Sequence, residues 1–440
     1  MQESARRRGF AIVFAVVFLD LLGFGIIIPI LPYYTRSFPG GTEFVIGLLA
    51  ASYSAMQFAF APLLGSLSDR VGRRPVLILS LCGSVVAWTV FGLADALWLL
   101  FVSRMLAGAM GGNLSTAQAY VADVTPPERR AAALGYIGAA FGLGFIFGPG
   151  IGAVLSFDAT VAAVDAVVPA VPITRFSLPS FAAAFASLCG VVVALAFLPE
   201  SRSPDGAPTE RQSAIGQLGA AVSTAGLREL LVAFFLVSFA FSGVQIMFVP
   251  YVADIYGYTA AQSALLLTYV GVLAVVTQGV LVGPLTARYS PIALSLAGTA
   301  VLVVGVGALP FSIAVGTVFP SLTHLVPFLT ADLLGLLAVL TLLPVGNGVL
   351  SVTLTALVSQ RASADLQGSA FGVTQGAGSL ARTVGPPVMG GLYAAVGYWS
   401  PFVVGSLLLL PVAALVVRLR TQTDSTDPPK PRPADPGHIR

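Results

Sequence analysis

The chain is 440 residues long, 56% of them hydrophobic and only 9% charged, with a mean hydropathy of +0.91. A soluble domain carries about 25% charged residues, so this chain has too little polar surface to face water and reads as a membrane protein. A net charge of only +3 argues against a nucleic-acid binder, and Cys82 and Cys189 sit singly in apolar runs without metal-ligand spacing.

The N-terminus, MQESARRRGFAIVFAVVFLDLLGFG, opens with basic residues and an apolar run, as a signal peptide does. The run continues well past a short signal core and no A-x-A site closes it, so a retained first span is expected. A span needs about 20 mostly apolar residues. That rule places six spans at 10–34, 44–68, 75–94, 97–122, 131–155 and 178–198. Six more follow at 229–253, 262–286, 291–313, 331–358, 367–394 and 399–419. Between the sets, PESRSPDGAPTERQSAIGQ is the longest polar, Pro/Gly-punctuated stretch before the tail. The expected plan is an N-terminus (1–9), a six-helix bundle (10–198), a linker (199–228), a second bundle (229–419) and a disordered, Pro-rich tail (420–440).

Arginines fix the expected orientation. Arg6–Arg8, Arg70, Arg73, Arg74, Arg129, Arg130, Arg202, Arg211, Arg228, Arg288, Arg361 and Arg418 all fall on one side, against Arg36 and Arg175 on the other. The positive-inside rule makes the crowded side cytoplasmic, with both termini there and the chain multi-pass in the cell membrane. The loops 156–177 and 314–330 are longer than this plan requires.

The two bundles repeat one another. At a shift of 218, Gly25, Pro32 and Tyr33 meet Gly243, Pro250 and Tyr251, and Gly65, Leu67 and Arg70 meet Gly283, Leu285 and Arg288. At 237, Gly135, Gly148 and Pro149 meet Gly372, Gly385 and Pro386. Two related halves about an axis along the membrane normal are the plan of transporters that rock two bundles around a central site.

The loop after the second span, GSLSDRVGRRP, combines two glycines for a tight turn with Asp69 among Arg70, Arg73 and Arg74. Gly65, Leu67, Asp69, Arg70, Gly72, Arg73 and Arg74 match G-x-L-x-D-R-x-G-R followed by Lys or Arg, and this resembles the signature loop of the major facilitator superfamily. The resemblance implies an all-α membrane fold of 12 helices in two pseudo-symmetric bundles. It implies a cytoplasmic gate in which the aspartate lies against the start of the eleventh helix, here near 365–368, with Asp123 completing the cluster. A carboxylate at a helix N-terminus is favoured by the dipole and the free N–H groups. On the fifth span, Gly135, Gly144, Gly148, Pro149 and Gly152 resemble the antiporter motif G-x8-G-x3-G-P-x2-G, with Ala153 replacing the closing glycine. Arg104 and Gly108 resemble R-x-x-Q-G, with Ala107 in place of glutamine. Together with FLDLLGFGIIIPILP these motifs look most like the tetracycline/proton antiporter group. The likeness departs in the third span, where Ala87 replaces an aspartate, and in the ninth, which has none; tetracycline itself is therefore not the expected substrate.

Asp20, Arg104 and Arg382 are the residues charged at neutral pH that lie well inside the spans. A charge there costs at least about 2.5 kcal/mol unless it is paired or hydrated, so each is a functional candidate. Asp20 and Arg104 enter from opposite sides to comparable depth and are expected to pair, with Asp20 carrying the proton. Phe24, Tyr53, Gln57, Gly108, Gln245, Asn347, Gln375 and Arg382 are the expected lining of a mostly apolar cavity. The expected function is proton-coupled export of hydrophobic or amphiphilic drug-like molecules by a monomer, whose partners are substrate, protons and lipid. Uptake or facilitated passage of a metabolite is the alternative within transport, and a non-transporting scaffold or receptor the alternative outside it. No phosphate-binding loop, nucleophile–base pair or metal cluster is found, so no enzyme activity, cofactor or metal is expected.

Overall fold

The structure, a computed structural model, describes residues 3–126, 129–169, 171–201, 227–321, 323–324, 328–361 and 367–424. Among them the chain is helical, without a strand. The first half holds α1 (Glu3–Ile27), α2 (Glu43–Val71), α3 (Arg73–Gly92), α4 (Leu97–Val124), α5 (Arg130–Leu155) and α6 (Ser177–Phe197). The second holds α7 (Leu227–Tyr256), α8 (Ala260–Arg288), α9 (Pro291–Gly316), α10 (Ala331–Arg361), α11 (Gln367–Ala395) and α12 (Ser400–Asp424).

Eleven helices among the described residues are both long and apolar enough to cross a membrane. The twelfth path, α11, has the length, 29 residues, but is rich in Gly, Ser, Thr and Gln and falls outside that set. It packs along α2 and α7, where its small and polar residues meet protein, while Leu380, Val384 and Val388 form an exposed apolar stripe. Elsewhere the outer faces are apolar, with Trp98, Phe185 and Val304 each more than half exposed, as lipid-facing side chains are.

Some boundaries differ from the sequence reading. The first span, expected to reach 34, ends at Ile27, and a turn at 28–30 containing Pro29 leads into a short helix, Leu31–Arg36. Proline has no N–H to carry the ladder onward. The tail expected from 420 begins later, since α12 runs to Asp424; residues 425–440, like 202–226 of the linker, lie outside the described set. The loop expected at 156–177 holds a short exposed helix, Asp158–Val167.

In the first half α1 runs between α5 and α6, while α3 packs on α6 and α2 on α4. The α1–α5 seam is a backbone contact. A Cβ on Gly148 would stand 2.6 Å from the Cα of Gly25, and one on Gly152 2.8 Å from the carbonyl oxygen of Ile26. The glycines of the antiporter-like motif therefore let two helices touch main chain to main chain. Gly135 of the same motif has open space beside it.

The halves meet along two equivalent seams, α2 with α11 and α5 with α8. At the end away from the arginine-rich loops both are tight. A side chain on Gly47 would overlap the carbonyl of Pro386, and Phe145 lies on the backbone of Gly271. Toward the arginine-rich end they part, leaving open space beside Gly138, Gly279, Gly283 and Gly376. The molecule is closed at one end and open at the other.

Overpacking a tight core site costs about 1–3 kcal/mol. G148A is therefore expected to lower the melting temperature of the purified protein, while G135A, facing open space, leaves it unchanged. Thermal denaturation in detergent checks both.

Candidate functional site: a chamber between the bundles

A cavity of about 1180 Å³ lies between the halves, lined by α1 to α5 on one side and by α7 and α11 on the other. Phe24, Tyr53, Gln57, Gln245, Gln375 and Arg382 of the expected set face it, as do Asp20 and Arg104. Asn347 lines instead a side niche of about 370 Å³ within the second half, which shares Gln245, Gln375 and Arg382 with the main chamber. Gly108 does not line either cavity. It is buried against the backbone of Tyr53, and its missing side chain is what lets α4 lie on α2.

Asp20 is held by two neutral donors. Ser84 Oγ donates to Oδ1 at 3.1 Å and Asn113 Nδ2 donates to Oδ2 at 3.3 Å. Sequence reading found neither partner. Asn113 reaches the carboxylate because α4 is broken there: its helix stops at Gly111 and resumes at Leu114. Interrupted helices of this kind place backbone and polar side chains at mid-membrane sites, and the Gly111–Gly112–Asn113 run was the available signal. Ser84 is one turn from Ala87, which is fully buried with its carbonyl taken by Ser103, so position 87 does not face the chamber.

Arg104 does not pair with Asp20. Its guanidinium lies over two rings, 4.5 Å from the centroid of Tyr53 and 5.6 Å from that of Phe24. The side chain is 4% exposed and its Nε has no hydrogen-bond partner among the described residues. Cation–π contacts contribute about 2 kcal/mol when desolvated, close to the roughly 2.5–3.5 kcal/mol cost of a central arginine. The rings thus replace the carboxylate the sequence reading supplied. Among the described residues no cluster of His, Cys, Asp and Glu is suited to a metal ion.

The arginine-rich loop is a hairpin built around Arg73. Its guanidinium reaches Asp69 at 2.6 Å, Asp123 at 3.2 Å and Ser68 Oγ at 2.6 Å, and the side chain is buried. Gly72 turns the chain with φ +104, a value that side-chain-bearing residues rarely adopt. One further residue, missed because it fell in the expected linker, completes the hairpin. The carboxylate of Glu200 accepts from the backbone N–H groups of Arg73 at 2.9 Å and Arg74 at 3.1 Å, capping the otherwise unpaired first turn of α3. Asp69 and Asp123 thus meet on Arg73, while the Arg74 guanidinium donates to the carbonyl of Leu195; Gly65 is buried, and Leu67 and Arg70 are exposed. The expected contact of Asp69 with 365–368 lies outside the described residues, apart from the backbone of 367 and 368.

A model of the Major Facilitator Superfamily matches residues 13–373. The chain belongs to the major facilitator superfamily. It is 30% identical to the tetracycline resistance protein, class G, of Vibrio anguillarum over 402 residues, covering 90% of this chain and 93% of that one. The human organic anion transporter MFSD10 (TETRAN) has the same fold at a TM-score of 0.63 and 25% identity, covering 93% of this chain and 99% of that one. A bacterial homologue of the human lysosomal transporter Spinster, in an inward-facing and occupied conformation, matches at a TM-score of 0.71 over 98% of this chain and 100% of that one; at 16% identity this shows the fold. The chain is thus a transporter of this superfamily and not an enzyme.

In this superfamily member the closed end carries a bridge between the halves. Arg36 donates from NH1 and NH2 to the two carboxylate oxygens of Asp254, both at 2.8 Å, and from NH2 and Nε to Glu43 Oε1 at 2.7 and 3.0 Å. Tyr393 donates to Asp254 at 2.6 Å, and Tyr33 donates to the carbonyl of Tyr258. Burial opposes the charge on Arg36, but its bonds to Asp254 and Glu43 outweigh this and hold its pKa above the ordinary value. The cluster ties the short helix Leu31–Arg36 and α2 to α7 and α11.

Two outcomes follow from this geometry. E200A removes a helix cap worth about 1 kcal/mol, and hydrogen exchange should then quicken at the first amides of α3. R36A should favour opening of the closed end roughly fivefold or more. Labelling of Q375C by an impermeant maleimide applied from that end measures the change, and an unchanged rate shows that the bridge does not gate.

Proposed function

We propose that the chain is a proton-coupled exporter of hydrophobic or amphiphilic drug-like molecules, acting as a monomer in the cell membrane. Both termini lie in the cytoplasm, so the chamber opens inward. The observation that carries the reading is a mid-membrane carboxylate, Asp20, which among the described residues is the one acidic group lining a large and mostly apolar chamber and has neutral hydrogen-bond partners only. Resemblance to a tetracycline resistance protein over nine-tenths of the chain supports export of a drug-like molecule.

The chemistry follows from the donors. An ionised Asp20 accepts from both Ser84 and Asn113. A proton taken up on Oδ2 leaves Oδ1 free to go on accepting from the Ser84 hydroxyl. The Asn113 amide nitrogen only donates, so its bond to Oδ2 weakens when that oxygen takes the proton. Asn113 sits in the break of α4, and protonation thus releases the broken helix while Ser84 keeps the carboxyl in place. Outside, Asp20 takes up a proton; the bundles rock; inside, the proton leaves and substrate enters. Arg73, with Asp69, Asp123 and Glu200, firms the cytoplasmic hairpin, and the Arg36 cluster closes the outer face in the inward-open state.

D20N should insert and fold normally yet lose proton-driven exclusion of a fluorescent dye from washed cells. The wild type should exclude the dye until a protonophore is added. Wild-type coupling in D20N removes Asp20 from the mechanism, and proton-driven dye uptake replaces export by the importer reading.

A further inference from the structure

The niche in the second half differs in chemistry from the chamber it opens into. Asn347, Gln245 and Gln375 bring amides, Ser238, Ser242 and Thr355 bring hydroxyls, and no carboxylate is in its wall. One cation, Arg382, stands where niche and chamber join. Its guanidinium donates to Ser379 Oγ at 3.1 Å, and among the described residues it meets no acidic side chain. Arg104, across the chamber, is buried against rings, also without a carboxylate among the described residues. Arg104 lies over the Tyr53 ring, 4.5 Å from its centroid, and Arg382 lines the same chamber.

Among the described residues that line the chamber, two guanidiniums and one carboxylate leave a surplus positive charge. A charge carried through hydrocarbon is costly unless it is met. Within the proposed exporter, we infer that the substrates are amphiphiles with an acidic head group, a carboxylate, sulfonate or comparable oxyanion. The head is held by Arg382 in the niche, and the apolar body lies on Phe24, Tyr53 and Phe145 in the main chamber. Arginine suits the task because its planar fork matches an oxyanion with two parallel bonds, and the amides supply further N–H donors. With Asp20 ionised, one anionic head brings the charged side chains and ligand to neutrality, so the loaded chamber occludes without net charge. Proton uptake then belongs to the unloaded half of the cycle, as exchange requires.

The test is equilibrium binding to the purified full-length chain in lipid nanodiscs, which depends on neither proton coupling nor direction. The probes are pyrenebutyric acid and its primary amide, matched in all but the head group, at a pH where the acid is ionised. The acid should bind about tenfold more tightly than the amide, the size of one charge-assisted hydrogen-bonded contact. R382Q should bring the acid level with the amide, and R382K should recover part of the preference. Equal affinity in the wild type, absence of binding by either probe, or a preference that survives R382Q overturns the inference. A dye-exclusion assay insensitive to protonophore would sink the coupling scheme while leaving this result standing.

Discussion

The chamber exists because four helices touch, main chain to main chain, at one end and separate at the other. Where α2 meets α11 and α5 meets α8, glycines at 47 and 271 bring the partner backbone into direct contact. Such contact in lipid rests on van der Waals packing rather than on expulsion of water, since hydrocarbon is as apolar as a leucine side chain. It therefore demands small residues. The same constraint recurs inside the first half, where Gly25 and Gly148 weld α1 to α5. Asp20, on α1, is thereby carried on a closely packed helix pair, beside the break in α4.

Inside that frame the three intramembrane charges are met in three ways. Asp20 has hydrogen bonds from neutral side chains, Arg104 has aromatic rings, and Arg382 has one hydroxyl and open cavity. None of the three is cancelled by a fixed opposite charge among the described residues. Side chains satisfied by weaker or reversible partners can exchange them for a proton or a ligand.

Much of this was legible in the sequence, and the failures have physical causes. Long apolar runs, the repeat and the loop motif named the fold, because lipid leaves a chain few ways to satisfy its backbone. Apolarity under-reported α11, much of whose surface packs on α2 and α7. Asp20 was found because a carboxylate in a span is rare, whereas Ser84 and Asn113 are ordinary polar residues until the break in α4 turns one of them inward. The expected Asp20–Arg104 pair failed because depth along two helices fixes height but not the direction a long side chain takes, and two rings lay closer. Glu200 was assigned to a linker by composition, although its carboxylate caps the helix that the signature loop begins.

Arg36 and Asp254 are separated by 218 positions, the same offset that superimposes Gly25 on Gly243 and Pro32 on Pro250. They are one position seen twice, and their contact places that position on the dyad relating the halves. In an assembly of two identical halves, a residue on the dyad faces its own copy. Arginine would meet arginine, or aspartate aspartate, and the site would repel. An attractive bridge there needs two halves that differ at this position, so it is a contact that no symmetric dimer of either half could have.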